Sequence, residues 1–309
     1  MNSEPRHDST GHRPDFFIVG APKCGTTSMA QYLNQHPEIF VIRGEPHYFG
    51  SDLEYNKPRL TPRQYRKICA ADAGKPLCGD RSTWYLYSRK AAGEIHDFNP
   101  EARIVAILRN PTEMLHSLHA HHYQRGRRDD LENFADALAA EPRRRQGLDI
   151  PANVRFPESL YYSEIARYSE QLRRYFDLFG PERVKVILFD DLKARTADVY
   201  RETLEFLGVQ PDFAADFQIH NASAPTERGW IYRAWKSSTL RYRIRSLAPQ
   251  RLYDALRARR RRRLAAAAGV APRKPLDGRV RRSLAAQFDD EVARLEGLLD
   301  RDLGNWRAL

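Results

Sequence analysis

Long apolar runs are missing from this 309-residue chain: none approaches the roughly 18 residues that cross a bilayer. Residues Met1 to Arg13 are polar and lack the apolar stretch of a secretory signal, so 1–14 reads as a disordered leader ending at Pro14. Cysteine is scarce. Cys24, Cys69 and Cys78 make three, an odd number at no metal-binding spacing, which argues against a disulfide framework and fits a reducing, cytoplasmic setting. No internal repeat with a period of about 20 to 50 residues is present, so solenoids and propellers are set aside. Lysine is scarce too, at 9 of the 51 basic residues.

What the chain has in excess is arginine, and with it a formal net charge of +11. That balance invites a nucleic-acid or membrane-surface reading. The charge is concentrated, however. Residues 230–282 hold 17 basic and 2 acidic side chains, a local +15 that leaves the rest of the chain at −4. The segment includes five consecutive arginines, Arg259 to Arg263. Specific nucleic-acid binding is not expected, because no stacking module or zinc motif accompanies the charge. Peripheral contact with an anionic membrane or an anionic acceptor is the expectation for 230–282.

The hydrophobic pattern alternates between short apolar runs and amphipathic stretches. Buried strands are expected at Asp15 to Gly20, Ile39 to Ile42, Ile104 to Leu108 and Val184 to Phe189. Helices are expected at Thr27 to His36, Pro62 to Ala71, Pro111 to about Tyr123, Ser163 to Phe179, Thr196 to Leu207 and Arg279 to Leu303. Residues 50–80 look mixed, and the polar stretches 125–158 and 229–275 read as acceptor-side insertions into one domain, 15–309. The order implies an α/β fold with a P-loop-like core, a mainly parallel sheet flanked by helices.

Between the first strand and the first helix lies Gly20-Ala21-Pro22-Lys23-Cys24-Gly25-Thr26-Thr27-Ser28. A strand-to-helix loop presents backbone N–H groups and the positive end of a helix to an anion. The glycine spacing is that of the nucleotide P-loop, but Thr26 follows Gly25 where that motif has lysine, and the lysine sits earlier, at Lys23. Arg109 ends the strand Ile104 to Leu108, and Ser117 follows eight residues later. A guanidinium and a hydroxyl two turns into the following helix suit a phosphate dianion. After the second strand comes Glu45-Pro46-His47-Tyr48-Phe49, with a carboxylate and an imidazole that could each take a proton.

These three segments resemble the sulfotransferases that use 3′-phosphoadenosine 5′-phosphosulfate (PAPS), and within them the heparan sulfate-type branch, whose base is glutamate. The resemblance implies a sulfotransferase fold and transfer of a sulfuryl group to a hydroxyl, or an amine, of a glycan, glycolipid or small natural product. It implies that Lys23, Cys24, Gly25, Thr26, Thr27 and Ser28 hold the 5′-phosphosulfate, and that Arg109 and Ser117 hold the 3′-phosphate. Glu45 would be the base, with His47 the competing candidate and Lys23 the electrostatic catalyst. Asp80-Arg81-Ser82-Thr83-Trp84-Tyr85 is similar to an acceptor-side segment, which makes Arg81, with Tyr48, a substrate-binding candidate. Arg228, in Glu227-Arg228-Gly229, stands where the family has a closing Lys-Gly-Arg loop.

The sequence also departs from the family pattern. Gly44 precedes the base where many relatives have lysine, Met114 stands where many have a second arginine, and Arg81 replaces lysine. No metal is expected. His116, His119 and His122 share a helix face, but no cysteine or carboxylate joins them. Asp190-Asp191 reads as a turn and helix cap rather than a Walker B acid. A P-loop kinase of a small metabolite and a basic nucleic-acid-binding protein remain the alternatives. The first would need ATP and Mg²⁺, and the second would bind with strong salt dependence.

Overall fold

Five short segments form one parallel sheet: β1 (Phe16–Gly20), β2 (Ile39–Val41), β3 (Leu77–Arg81), β4 (Arg103–Leu108) and β5 (Val184–Leu188), in the order β2-β3-β1-β4-β5, and all but β3 are largely apolar. The computed structural model describes residues 13–55, 58–72, 74–124, 128–217 and 275–307. Arg228, and all of 230–282 before residue 275, therefore lie outside the described residues. β1 is buried throughout, and β4 is buried except for Arg103, as expected of central strands covered on both faces.

The helices are α1 (Thr26–Leu33), α2 (Pro62–Cys69), α3 (Ala91–Phe98), α4 (Pro111–Gln124), α5 (Phe134–Ala139), α6 (Glu141–Arg144), α7 (Tyr162–Ile165), α8 (Tyr168–Phe179), α9 (Phe189–Ala194), α10 (Thr196–Leu207), α11 (Gly278–Gln287) and α12 (Asp289–Leu299). From β1 the chain runs to one side of the sheet, and from β4 to the other. The crevice between the C-terminal ends of β1 and β4 is thus a topological switch point, where open α/β sheets bind ligands.

Several expectations change. β3 and α3 were not anticipated: Leu77-Cys78-Gly79-Asp80-Arg81 is too polar to look like a strand, yet four of its five residues are buried. A methyl group at Gly79 would stand 2.2 Å from the Phe16 ring, so the bare backbone there lets Phe16 lie across β3. The single helix expected over 163–179 is two helices. Gln171 Nε2 donates to the carbonyls of Glu164 and Ile165, which a continuous helix would use itself, and the buried Glu291 of α12 accepts from the Ser169 N–H at 2.6 Å, closing the start of α8. The last helix is likewise split, at Phe288. Pro14 is already buried, and its carbonyl accepts from Asn99 Nδ2, so the packed chain includes the residue taken as the end of the leader.

The stretch 125–158, read from sequence as an acceptor-side insertion, contributes buried polar residues. Arg144 is fully buried and forked onto Asp129 at 2.7 and 2.9 Å, and Tyr162 donates to the same carboxylate. Removing either charge would strand the other, at a cost of about 3–5 kcal/mol. Polar composition here signals an internal ion pair.

Candidate functional site

Every described residue singled out for chemistry lies in a loop after a sheet strand, at a strand end or on the helix that follows. The loop after β1 is shaped by backbone conformation. Gly25 has φ 92°, and Lys23 is held in the left-handed region at φ 64°. A Cβ on Gly25 would press on Phe189 and Leu192 at 3.1 Å. Thr26 and Thr27 open α1, with Ser28 next on the helix. Burial pushes the Cys24 thiol up to about 12, against the opposing pull of Arg109 and Lys23, which keeps it protonated in the neutral range.

The guanidinium of Arg109 lies over the Phe189 ring, 4.9 Å from its centroid, and pairs with Glu113 at 3.4 Å. Phe189 therefore backs both Gly25 and Arg109, and the two halves of the expected anion site adjoin through one aromatic ring. Ser117 is buried on α4.

The loop with the expected base follows β2. Glu45 Oε1 accepts from Arg81 Nη1 at 2.7 Å, and Oε2 meets His47 Nε2 at 3.0 Å and Arg155 Nη1 at 3.5 Å. Burial pushes the Glu45 carboxyl up, but the His47 hydrogen bond and the charges of Arg81, His47 and Arg155 outweigh it and hold it well below the usual 4.5. His47 stands behind Glu45 with φ 49°, its Nδ1 beside Tyr55 Oη at 3.1 Å. Burial lowers its pKa below 6.5 despite the Glu45 carboxylate. Arg81 is committed to Glu45, to the Gly44 carbonyl at 2.9 Å and, at the edge of hydrogen-bond distance, to Thr27 Oγ1 at 3.5 Å. One guanidinium thus spans the base loop and the anion loop. Tyr48 stacks flat on Tyr65, with centroids 4.0 Å apart.

Residues given no role from sequence set this geometry. Asp80 is fully buried and accepts from Tyr65 Oη, Ser82 Oγ and Tyr85 Oη at 2.7 to 3.0 Å. Ser82 Oγ and Tyr85 Oη in turn accept from the N–H groups of His47 and Tyr48. Burial raises the Asp80 carboxyl to about 6 in spite of these donors. Arg59 donates to the carbonyls of His47, Tyr48, Phe49, Gly50 and Leu53. Arg155 reaches Glu45 and His47 from the segment taken as an insertion. Sequence offered no signal for Arg59 or Arg155, whereas Asp80, Ser82 and Tyr85 lay within the acceptor-side segment.

The histidines of α4 are packed. His119 Nε2 donates to the Leu131 carbonyl at 2.9 Å, and His122 is buried beside Trp84, where desolvation pushes its pKa down to about 3. No group of three or more metal-ligating side chains occurs among the described residues. Asp190 accepts from Trp306 Nε1, and Asp191 pairs with Arg301, so these acids tie down the C-terminal segment.

Residues 94–226 match the family model described as a sulfotransferase domain. A solved sulfotransferase from Alicyclobacillus acidocaldarius is 28% identical and superposes with a TM-score of 0.71 over 96% of this chain and 99% of its own. The chain has a sulfotransferase fold. Among curated proteins, carbohydrate sulfotransferase 15 of Mus musculus is 22% identical over 64% of this chain and 44% of its own length. The bifunctional heparan sulfate N-deacetylase/N-sulfotransferase 3 of Homo sapiens is 24% identical over 65% and 23%. The chain thus spans less than half the length of these relatives. The sulfotransferase domain match begins within α3 and takes in Arg109 and Ser117, while Lys23 and Glu45 lie upstream of it.

Proposed function

We propose that the protein transfers the sulfuryl group of PAPS to a hydroxyl, or an amine, of a glycan, glycolipid or small natural product. The observation that carries this is Arg81, whose guanidinium touches both Thr27 of the anion loop and Glu45. A donor in the first and an acceptor at the second would be neighbours. The donor set suits the ligand: a Gly25 cradle closed to larger residues, Lys23, the hydroxyls of Thr26 to Ser28, and Arg109 with Ser117 for a second phosphate.

Glu45 takes the proton as the acceptor oxygen bonds to sulfur. The bond from sulfur to the bridging phosphate oxygen breaks, Lys23 stabilises the charge left there, and adenosine 3′,5′-bisphosphate departs. Held below its ordinary pKa, Glu45 is a carboxylate throughout the neutral range. Arg81, Asp80 and Arg59 hold it in place, which is the positioning such in-line chemistry needs. The loop with Arg228 would close over the nucleotide, and 230–282 would meet an anionic acceptor or membrane surface.

Calorimetry tests the reading. The protein should bind adenosine 3′,5′-bisphosphate in EDTA and transfer sulfate without metal. Tight binding of ATP with Mg²⁺ and none of the bisphosphate would overturn it in favour of a kinase.

A further inference from the structure

Between Arg109 and Ser117 the chain places a negative charge. Glu113 lies one turn before Ser117 on α4, in the middle of the stripe read above as a 3′-phosphate site. Its Oε2 accepts from Arg109 Nη2 at 3.4 Å, and its Oε1 pairs with Arg281 Nη2 at 2.7 Å. Arg281 comes from α11, near the far end of the chain, which packs against α4.

The two arginines are held differently. Arg109 follows directly on β4 and is backed by the Phe189 ring. Arg281 has a side chain that is 42% exposed, and Glu113 is the carboxylate that ties it to this stripe. A carboxylate shared by two guanidiniums is one negative charge at a point where two forked donors converge. A phosphate dianion there would offer the same donors a second charge and a further acceptor oxygen.

We propose that Arg281 is a third anion-binding residue of the donor site, held ready by Glu113 and selective for the 3′-phosphate of the nucleotide. The proposal rests on the donor-site reading of Arg109 and Ser117. On donor binding the Arg281 guanidinium exchanges its ion pair with Glu113 for one with the phosphate, and no covalent bond changes. Glu113 is then a placeholder. It keeps two cations together before the ligand arrives and competes with the ligand for them.

The test is calorimetry of the full chain with a matched pair of nucleotides, adenosine 3′,5′-bisphosphate and adenosine 5′-monophosphate, which differ only in the 3′-phosphate. If the unmodified protein binds both equally, the donor-site reading itself fails. If it prefers the bisphosphate, Arg281→Ala should weaken that ligand about tenfold or more and leave the monophosphate within about twofold. Arg281→Lys, which keeps charge and packing but loses the fork, should lie between. Arg282→Ala removes the same charge from an exposed neighbour and should change neither ligand. Glu113→Gln should tighten the bisphosphate about threefold. No selective loss in Arg281→Ala, or an equal loss in Arg282→Ala, would overturn the role of Arg281 while leaving the donor reading intact. Weaker bisphosphate binding in Glu113→Gln would overturn the placeholder.

Discussion

Residues 44–50, which carry Glu45, are gripped by side chains from other segments, while residues 21–28, which carry Lys23, form a strand-to-helix turn; left-handed residues occur in both, at Gly44, His47 and Gly50 in the first and at Lys23 and Gly25 in the second. In the first loop the Arg59 guanidinium grips the carbonyls of His47, Tyr48, Phe49 and Gly50, and Ser82 and Tyr85 take the N–H groups of His47 and Tyr48. In the second, two left-handed residues, Lys23 and Gly25, turn the strand into the helix. The difference follows from the chemistry proposed for each. A base must point one atom at one proton, so its rotamer needs many partners. An anion site needs converging N–H groups, which a strand-to-helix turn supplies directly.

The largest expected effects would separate the two loops. Lys23→Ala should lower kcat by about 10³-fold and also weaken adenosine 3′,5′-bisphosphate, since the group meets donor and leaving group alike. Glu45→Gln should lower kcat by about 10²- to 10⁴-fold and leave bisphosphate binding within about twofold. Steady-state kinetics beside calorimetry checks both. If Glu45→Gln costs as much bisphosphate affinity as Lys23→Ala, the loops are one unit coupled through Arg81, and the contrast fails.

A smaller effect concerns how the base loop is stabilised. The Asp80 carboxyl is raised to about 6 from its ordinary 3.8, so the folded state holds its proton more tightly than the unfolded chain. The stabilisation is full below the ordinary value and is lost as pH rises to about 6, a loss on the order of 3 kcal/mol. Asp80→Asn removes that titration. Urea unfolding at pH 4 and pH 7 should show the unmodified protein losing stability relative to the variant over this interval. The variant should also lose several-fold in kcat, because Asp80 anchors the Ser82 and Tyr85 hydroxyls that hold the base loop. A constant stability difference across pH would show that Asp80 titrates normally.

The turn after β1 was legible in sequence and the support of the loop after β2 was not, for the same physical reason. A strand, a glycine turn and a helix start are local, so Gly20 to Ser28 displays its architecture within nine residues. The central strands β1 and β4 were legible because parallel strands covered on both faces need continuous apolar runs, and the edge strands β2 and β5 because they are apolar apart from Lys185. β3 was missed because Asp80 is buried through hydroxyls contributed by Tyr65, Ser82 and Tyr85, and no local pattern marks the strand. Arg59 and Arg155 act on carbonyls and side chains brought near only by folding. The break between α7 and α8 depends on Glu291, over a hundred residues away. Tertiary hydrogen bonds override local periodicity in each case.

The smallest expected effect isolates Arg155, the guanidinium most loosely placed on Glu45. Its Nη1 lies 3.0 Å from His47 Nε2 and 3.5 Å from Glu45 Oε2, while Glu45 and His47 are themselves 3.0 Å apart. Neutral His47 can donate from Nε2 to Glu45 or accept there from Arg155, but not both, and the Tyr55 hydroxyl serves Nδ1 in either tautomer. Arg155→Ala removes the competing donor and one of the charges that lower the Glu45 pKa, leaving the larger contributions of the His47 hydrogen bond and Arg81. The Glu45 pKa should then rise while staying below its ordinary 4.5. A group with a depressed pKa is lost as base when pH falls through its folded value, so the acid limb of kcat/KM should move to higher pH in the variant. Rates at pH 8 should stay within about threefold. The bisphosphate should bind unchanged, because the hydrogen bonds of Arg155 go to Glu45 and His47. An acid limb that stays put would mean that Arg155 exerts no charge effect on Glu45, and that Arg81 and His47 set its pKa by themselves.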